Sequence, residues 1–450
     1  MEVKQFIEEN LENMKADLGQ LVSFNSVYSE DEKPFGSANR KVLDKALQLM
    51  AEKGLETENV DYYCGFGQAG SGDRLIGILA HLDIVPAGDG WNTDPFDMTE
   101  KDGFLYGRGV SDDKGAAVAS MYALKYLIGE GYDFHSRVRL ILGCNEESGS
   151  GCIAHYVKKY GHIDYGFTPD GNFPGIYAEK GMLGADVIGH DTKILSIAGG
   201  DVSNAVCKKV TAELPEASFD EEKLRTYLQE HKIAFDLEKK ENIILTVYGV
   251  SAHASMPDLG VNAFAYLMEA LHHAGFEDSF VSWFHEHFAL TVHGEILGYE
   301  KIRDDISDTS INFGVVSMSG KDLHVTLDMR FPVKTDGKTA RSLLEISDEN
   351  NEVAVNFIEE PLYFDINSPM IRALKKAYVD VTGDDKTEME AIGGGTYAKA
   401  IHNCIAFGCE FIGENNHIHD VNECLSIEAL KKQVELYVAA IRNLNEIEDE

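Results

Sequence analysis

Nine side chains in this 450-residue chain could do chemistry together: His81, Asp83, Asp112, Asp113, Glu146, Glu147, Asp170, His417 and His419. They fall in short stretches, "ILAHLD", "YGRGVSDDKG", "CNEESG", "FTPD" and "GENNHIHDVNE". Taken singly each has a bland reading, a solvated loop start for Glu146-Glu147 or a hydrogen-bonded core residue for His81. Taken together, carboxylates converging on one place repel strongly unless divalent cations lie between them. The donors are oxygen and imidazole with no obvious thiolate, which suits Zn²⁺, Mn²⁺ or Co²⁺ in a two-metal site better than a structural zinc. A carboxylate shared by two ions holds them ~3.5 to 4 Å apart, the arrangement of co-catalytic hydrolases. Each half then needs about one imidazole, and the late loop offers His417 and His419.

Convergence requires elements that bring these stretches to one edge. "RLIGILAHLD", "RVRLILGCN" and "DYGFTPD" read as buried strands, and "KGAAVASMYALKYLIGEG" and "GCIAHYVKKYG" as helices between them. Strands alternating with helices predict a mainly parallel sheet covered by helices, with functional residues at the strands' carboxyl ends. Val3, Phe6, Ile7, Leu11, Met14, Leu18 and Leu21 mark a first helix, and "SANRKVLDKALQLMAEKG" a second, closed near Gly54. After about Gly181 the texture changes. "ENIILTVYGVSAHAS" and "KDLHVTLDMRFPV" alternate with period two, and helical spacing returns from "SPMIRALKKAYVDVTG" to "SIEALKKQVELYVAAIRNL". The expected fold class is α/β: a discontinuous catalytic domain, 1–181 and 361–450, with an inserted α+β lid domain, 182–360.

Bulk properties exclude several function classes. A formal net charge of -36 disfavours nucleic acid and anionic membrane as partners. No run approaches the ~20 apolar residues of a membrane span. The acidic, amphipathic start is unlike a secretory signal. Seven scattered cysteines without a C-x-x-C pair point to free thiols and a cytoplasmic location. "GFGQAG" (65–70) matches a dinucleotide fingerprint but precedes a strand rather than following one, so it reads as a turn. "IGGGTYAK" lacks the G-K-[ST] of a P-loop, "HEHF" lacks the second histidine of H-E-x-x-H, and no G-x-S-x-G elbow occurs. The acidic run "NEIEDE" at the end reads as a solvated face.

The order H-x-D, G-R-G-x-x-D-D-K-G, N-E-E, P-D and a late H-x-x-N-E resembles the M20 metallopeptidase family. "AHLDIVPAGDGW", "GVSAHASMPDLGVNA" and "IGGGTYAKA" are most similar to its PepV-type dipeptidases. The resemblance implies that His81 and Asp170 hold one metal, Glu147 and His419 the other, and that Asp112 bridges. It selects His419 over His417. It implies that Asp83 holds the His81 imidazole in the ligating tautomer. Glu146 is then the general base that takes a proton from the attacking water and passes it to the leaving amine.

The same resemblance makes His253 of the lid the donor to the tetrahedral oxyanion and Arg330 the partner of the substrate's C-terminal carboxylate, through a guanidinium fork. Asn204 and the backbone of Gly393, Gly394, Gly395 and Thr396 are further expected substrate contacts. The insertion is long enough for two lobes, which in PepV-like members replace a dimer partner, so a monomer is expected. The expected activity is hydrolysis of unblocked dipeptides. Rivals are other M20 hydrolases (N-acyl amino acid deacylases of acetylornithine or succinyl-diaminopimelate type, or a carboxypeptidase), a two-metal phosphoesterase, and a non-catalytic metal- or peptide-binding protein.

Overall fold

The computed structural model describes residues 1–448. The last two residues of the "NEIEDE" run lie outside the described residues. The chain is α/β and divides into two compact units. The first comprises Met1–Tyr177, Phe364–Glu390 and the chain from Gly395 onward; the second comprises Ala178–Tyr363 with Ala391–Gly394.

In the first unit the strands Leu75–His81, Arg137–Gly143, Tyr165–Thr168 and Cys404–Ala406 run parallel. They are short apolar runs; Leu75–His81 is buried at every position, as a strand covered on both faces must be. Parallel pairing puts their carboxyl ends at one edge, with His81 directly beside Gly143 in the register. The parallel part is the centre of the sheet. Cys64–Ala69 pairs antiparallel on one side and Ile176 pairs antiparallel with Ala406 on the other.

The helix Lys114–Gly129 packs beside the helices Val3–Val22 and Ile427–Asn445 and against the strand Leu75–His81. Its residues from Lys114 to Leu124 are all buried, as a helix enclosed on every side requires.

"GFGQAG" is a correction. It forms most of the strand Cys64–Ala69, paired with both Glu56–Val60 and Arg137–Gly143, not a turn. The bare glycines are a packing device. A Cβ on Gly65 would meet Leu43 and Leu47, and one on Gly67 would meet Met50, side chains of the helix Ser37–Glu52. A period-two glycine pattern therefore lets a helix lie close on a strand.

The second unit is built on one eight-stranded antiparallel sheet. Its order is Ala234–Lys239, Ile243–Tyr248, Lys209–Leu214, Ser196–Gly199, Ser310–Ser319, Asp322–Phe331, Gly181–Gly189, Asn351–Glu359. Alternate residues such as Val210, Leu245, Val247, Val325 and Leu327 share a core with Leu224, Phe264, Phe280 and Phe284 of the covering helices. Among the described residues no helix is long and apolar enough to cross a membrane. All seven cysteines are buried and none is in a disulfide.

Candidate metal centre

Five segments build the site: the loop after the parallel strand Leu75–His81, the loop before the helix Lys114–Gly129, the loops after the parallel strands Arg137–Gly143 and Tyr165–Thr168, and the late loop that carries His419. The first begins with His81, the last residue of its strand and 1% exposed. Its Nδ1 lies 3.0 Å from the main-chain oxygen of Asp83, an acceptor that fixes the proton on Nδ1. Nε2 points at Asp112 Oδ1 from 2.8 Å. Burial would lower the His81 pKa, but the Asp112 carboxylate outweighs it, raising the pKa well above its ordinary value and drawing a proton onto Nε2. A cation displacing that proton would take the Nε2 lone pair. The expected tautomer control by Asp83 is present, but its main chain exerts it. The Asp83 carboxylate is 3.7 Å from Nδ1 and accepts instead from the N–H groups of Glu146 and Glu147, each at 3.0 Å. It therefore orients the Glu146-Glu147 loop, because a buried carboxylate is best satisfied by fixed backbone donors.

The second loop runs from Gly107 to Asp113 and leads into the helix Lys114–Gly129. Gly115 has no room for a side chain: a Cβ would strike the carbonyl oxygen of Val110. That close approach folds the loop back on the helix. Asp112 Oδ1 lies 2.8 Å from His81 Nε2, and its Oδ2 lies 2.9 Å from His419 Nε2. The Asp112–Asp113 peptide is cis. Asp113 Oδ2 accepts from the main-chain N–H of His81 at 3.2 Å, while its Oδ1 is buried without a hydrogen-bond partner.

The third element is the turn after Arg137–Gly143, where Gly149 has φ 128° and lets the chain reverse behind the two glutamates. Glu147 Oε2 lies 3.2 Å from His419 Nε2. The late loop thus contributes His419, not His417, to this contact.

Ligating atoms of His81, Asp112 and Glu147 lie within 4.8 Å of one another, and so do those of His81, Glu146 and Asp170. The structure brings all six expected residues, Glu146 included, into one cluster. Glu146 sits on the His81–Asp170 side of it.

The electrostatics are those of a cation site. Burial raises the Glu146 carboxyl well above the usual range; nearby His81 opposes this, and Asp170, Asp112 and Glu147 add to it. Burial would also raise Asp112, but hydrogen bonds from His419 and His81 bring it well below the ordinary value. The Asp112 and Glu147 carboxylates push the His419 imidazole up to about 10. Asp112, Glu146, Glu147 and Asp170 are four carboxylates facing two imidazoles. Such a surplus of clustered acid is costly in a protein interior unless positive charge accompanies it. With imidazole Nε2 and carboxylate oxygens as donors, the residues fit divalent ions of the zinc, manganese and cobalt kind.

The remaining expected residues belong mainly to the second unit. His253 follows the strand Ile243–Tyr248, and its Nδ1 accepts from the Ser255 N–H at 3.2 Å and lies 2.8 Å from Ser255 Oγ. Its neutral ring therefore carries the proton on Nε2. Burial and the nearby Arg330 lower its pKa below 6.5. Asn204 is exposed, and its carbonyl accepts from the N–H of Ala254 at 2.9 Å, beside His253.

Arg330 is 5% exposed, and its Nε and Nη2 bind Asp328 Oδ1 and Oδ2 at 2.6 and 2.9 Å. Nη1 donates to the carbonyl of Gly393 at 2.8 Å. Asp328, two residues away on the same strand face, thus occupies one edge of the guanidinium expected to face a substrate carboxylate. Gly394 ends this segment of the second unit, while Gly395 and Thr396 belong to the first. There the Thr396 hydroxyl caps the short helix Tyr397–Ala400.

Sequence reasoning missed Glu423 and Arg108, which are 1% exposed and joined at 2.7 Å beneath the Asp112 loop. The signal was the "R" of G-R-G and the "E" of the late N-E, charged residues four positions from Asp112 and from His419.

Sequence comparison agrees with the geometry. The profile of Peptidase family M20/M25/M40 matches residues 77–443. The chain belongs to this peptidase family and is a hydrolase by class. It is 33% identical to a Bacillus subtilis protein named "Putative dipeptidase YtjP", over 96% of this chain and 97% of that one. A protein of the same description from Staphylococcus haemolyticus is 31% identical, covering 98% of this chain and 99% of its own. The crystal structure of human carnosine dipeptidase 1 shares the fold, with TM-score 0.59 and 17% identity, covering 99% of this chain and 98% of that one.

Proposed function

We infer that the chain is a two-metal dipeptidase that removes the N-terminal residue from unblocked dipeptides and acts as a cytoplasmic monomer. The observation that carries the metal reading is the division of Asp112, one carboxylate oxygen facing His81 and the other facing His419. His81 and Asp170 would hold one ion, Glu147 and His419 the other, and Asp112 both. Zn²⁺, Mn²⁺ and Co²⁺ suit this donor set. The dipeptide substrate is supported by the names of the bacterial relatives, which match this chain over nearly its full length.

Bound divalent ions lower the pKa of water and polarise a carbonyl. Glu146 takes the proton as the water's oxygen bonds to the scissile carbon, and returns it to the nitrogen as the C–N bond breaks. A carboxyl that burial and neighbouring acids push upward holds a proton readily, and adjacent positive charge lowers it again for the next cycle. The neutral His253 ring offers Nε2–H to the developing oxyanion, a donor that needs no change of protonation. Arg330 supplies positive charge for the substrate carboxylate, with single N–H contacts in place of a side-on fork because Asp328 holds that edge.

A substrate panel tests this reading. Unblocked dipeptides should be hydrolysed, while N-acetylated amino acids and N-acetylated dipeptides should not. Preferential cleavage of the acylated compounds would replace it with a deacylase or carboxypeptidase reading.

A further inference from the structure

The Glu423 side chain accepts from four donors at once. Oε2 receives Arg108 Nη1 at 2.7 Å and the Gly109 N–H at 2.9 Å; Oε1 receives the Ser111 N–H at 2.9 Å and the Asp112 N–H at 3.1 Å. Three of these are consecutive or near-consecutive backbone groups of the loop that presents Asp112. The main chain around Glu423 ties the same two loops. Its carbonyl accepts from the Gly107 N–H at 3.2 Å, and Arg108 Nη2 reaches the carbonyl of Asp420 at 3.1 Å. Asp420 is the immediate neighbour of His419.

We propose that Glu423 is a positioning residue for the metal centre, locking the Asp112 loop to the His419 loop so that the bridging carboxylate and the late imidazole keep their 2.9 Å relationship. The inference rests on the two-metal reading above. A solvated glutamate would not be 1% exposed with both oxygens used twice. Nor does the geometry suit a simple ion pair, since Arg108 takes only one of the four contacts. The backbone donors make the carboxylate a template for the loop's shape. Glutamine cannot replace it, because a carboxamide has one acceptor oxygen and would turn its NH₂ toward fixed N–H donors.

The test uses the full chain, cobalt as the probe ion, and chelator competition to read affinity. Wild type should bind cobalt with a visible ligand-field spectrum. Glu423→Gln, folded by circular dichroism, should bind about 10- to 100-fold more weakly, the usual range for partners that orient ligands. Its spectrum should shift, and its kcat should fall with little change in KM at saturating metal. A merely structural Glu423 would lower the melting temperature and leave cobalt affinity and spectrum at wild-type values in the folded protein, which would overturn the proposal. Should Glu423→Gln not fold, Glu423→Asp keeps the charge but withdraws it by about one bond length, ~1.5 Å. It should weaken cobalt binding by a smaller factor with the same spectral shift, and unchanged binding would again overturn the proposal. Wild type that takes up no cobalt would instead remove the metal centre itself.

Discussion

Asp112 and His419 meet at 2.9 Å, Oδ2 to Nε2, from loops near the middle of the first segment and near the chain's end. The other oxygen of Asp112 is already committed toward His81. A carboxylate so divided should serve two ions. Asp112→Ala is therefore expected to lose more metal than His81→Ala or His419→Ala, because both ions lose a ligand and their mutual repulsion is no longer offset. Metal analysis of the purified variants checks this. Near-full occupancy in Asp112→Ala would move the bridge to Asp113, whose Oδ1 is buried without a partner.

Glu146 shares its cluster with His81 and Asp170. As a base, it should leave metal content nearly intact when replaced by glutamine, while kcat falls by about 10²- to 10⁴-fold. A Glu146→Gln protein that keeps half of wild-type kcat would not support the role. One that loses a metal would make Glu146 a ligand.

His253 is expected to act chiefly in the transition state, so His253→Ala should lower kcat by about 10²- to 10³-fold with little change in KM. For a monomer, mixing inactive His253→Ala with inactive Glu146→Ala protein should restore nothing. Activity recovered on mixing would show that the histidine is supplied by a second copy of the chain.

Stability should carry a signature of the same ring. Burial and Arg330 lower the folded-state pKa of His253 below the ordinary 6.5. In the window just below 6.5 the unfolded chain then binds more protons at this site than the folded one, so stability falls as pH drops through it. His253→Asn removes this contribution. Wild type should lose stability relative to the variant between pH 7 and pH 5, read as the difference in their urea midpoints. A constant difference across that range would count against a depressed pKa.

Much of the site's layout was legible because its signals are one-dimensional. "RLIGILAHLD" and "RVRLILGCN" are buried apolar runs that end in polar residues, and parallel pairing of such strands brings their ends together. What failed depended on partners distant in sequence. Gly65 and Gly67 looked like a turn because the leucines and methionine that need their space lie on another helix. Glu423 looked like a loop residue because its four donors lie far earlier in the chain. Asp328 is different: it stands two positions from Arg330 on a strand, so their shared face could have been read from the period of two. The division of labour at Asp83, main chain to His81 and carboxylate to the Glu146-Glu147 loop, has no sequence signal at all.

The central claim is a centre of two ions that hydrolyses dipeptides. Titration of metal-free protein with Zn²⁺, Mn²⁺ or Co²⁺ while following cleavage of an unblocked dipeptide tests it most directly. The metal-free chain should be inactive, and activity should rise to a plateau at two ions bound per chain. Turnover without metal, or a plateau at one ion that a second does not raise, would contradict it.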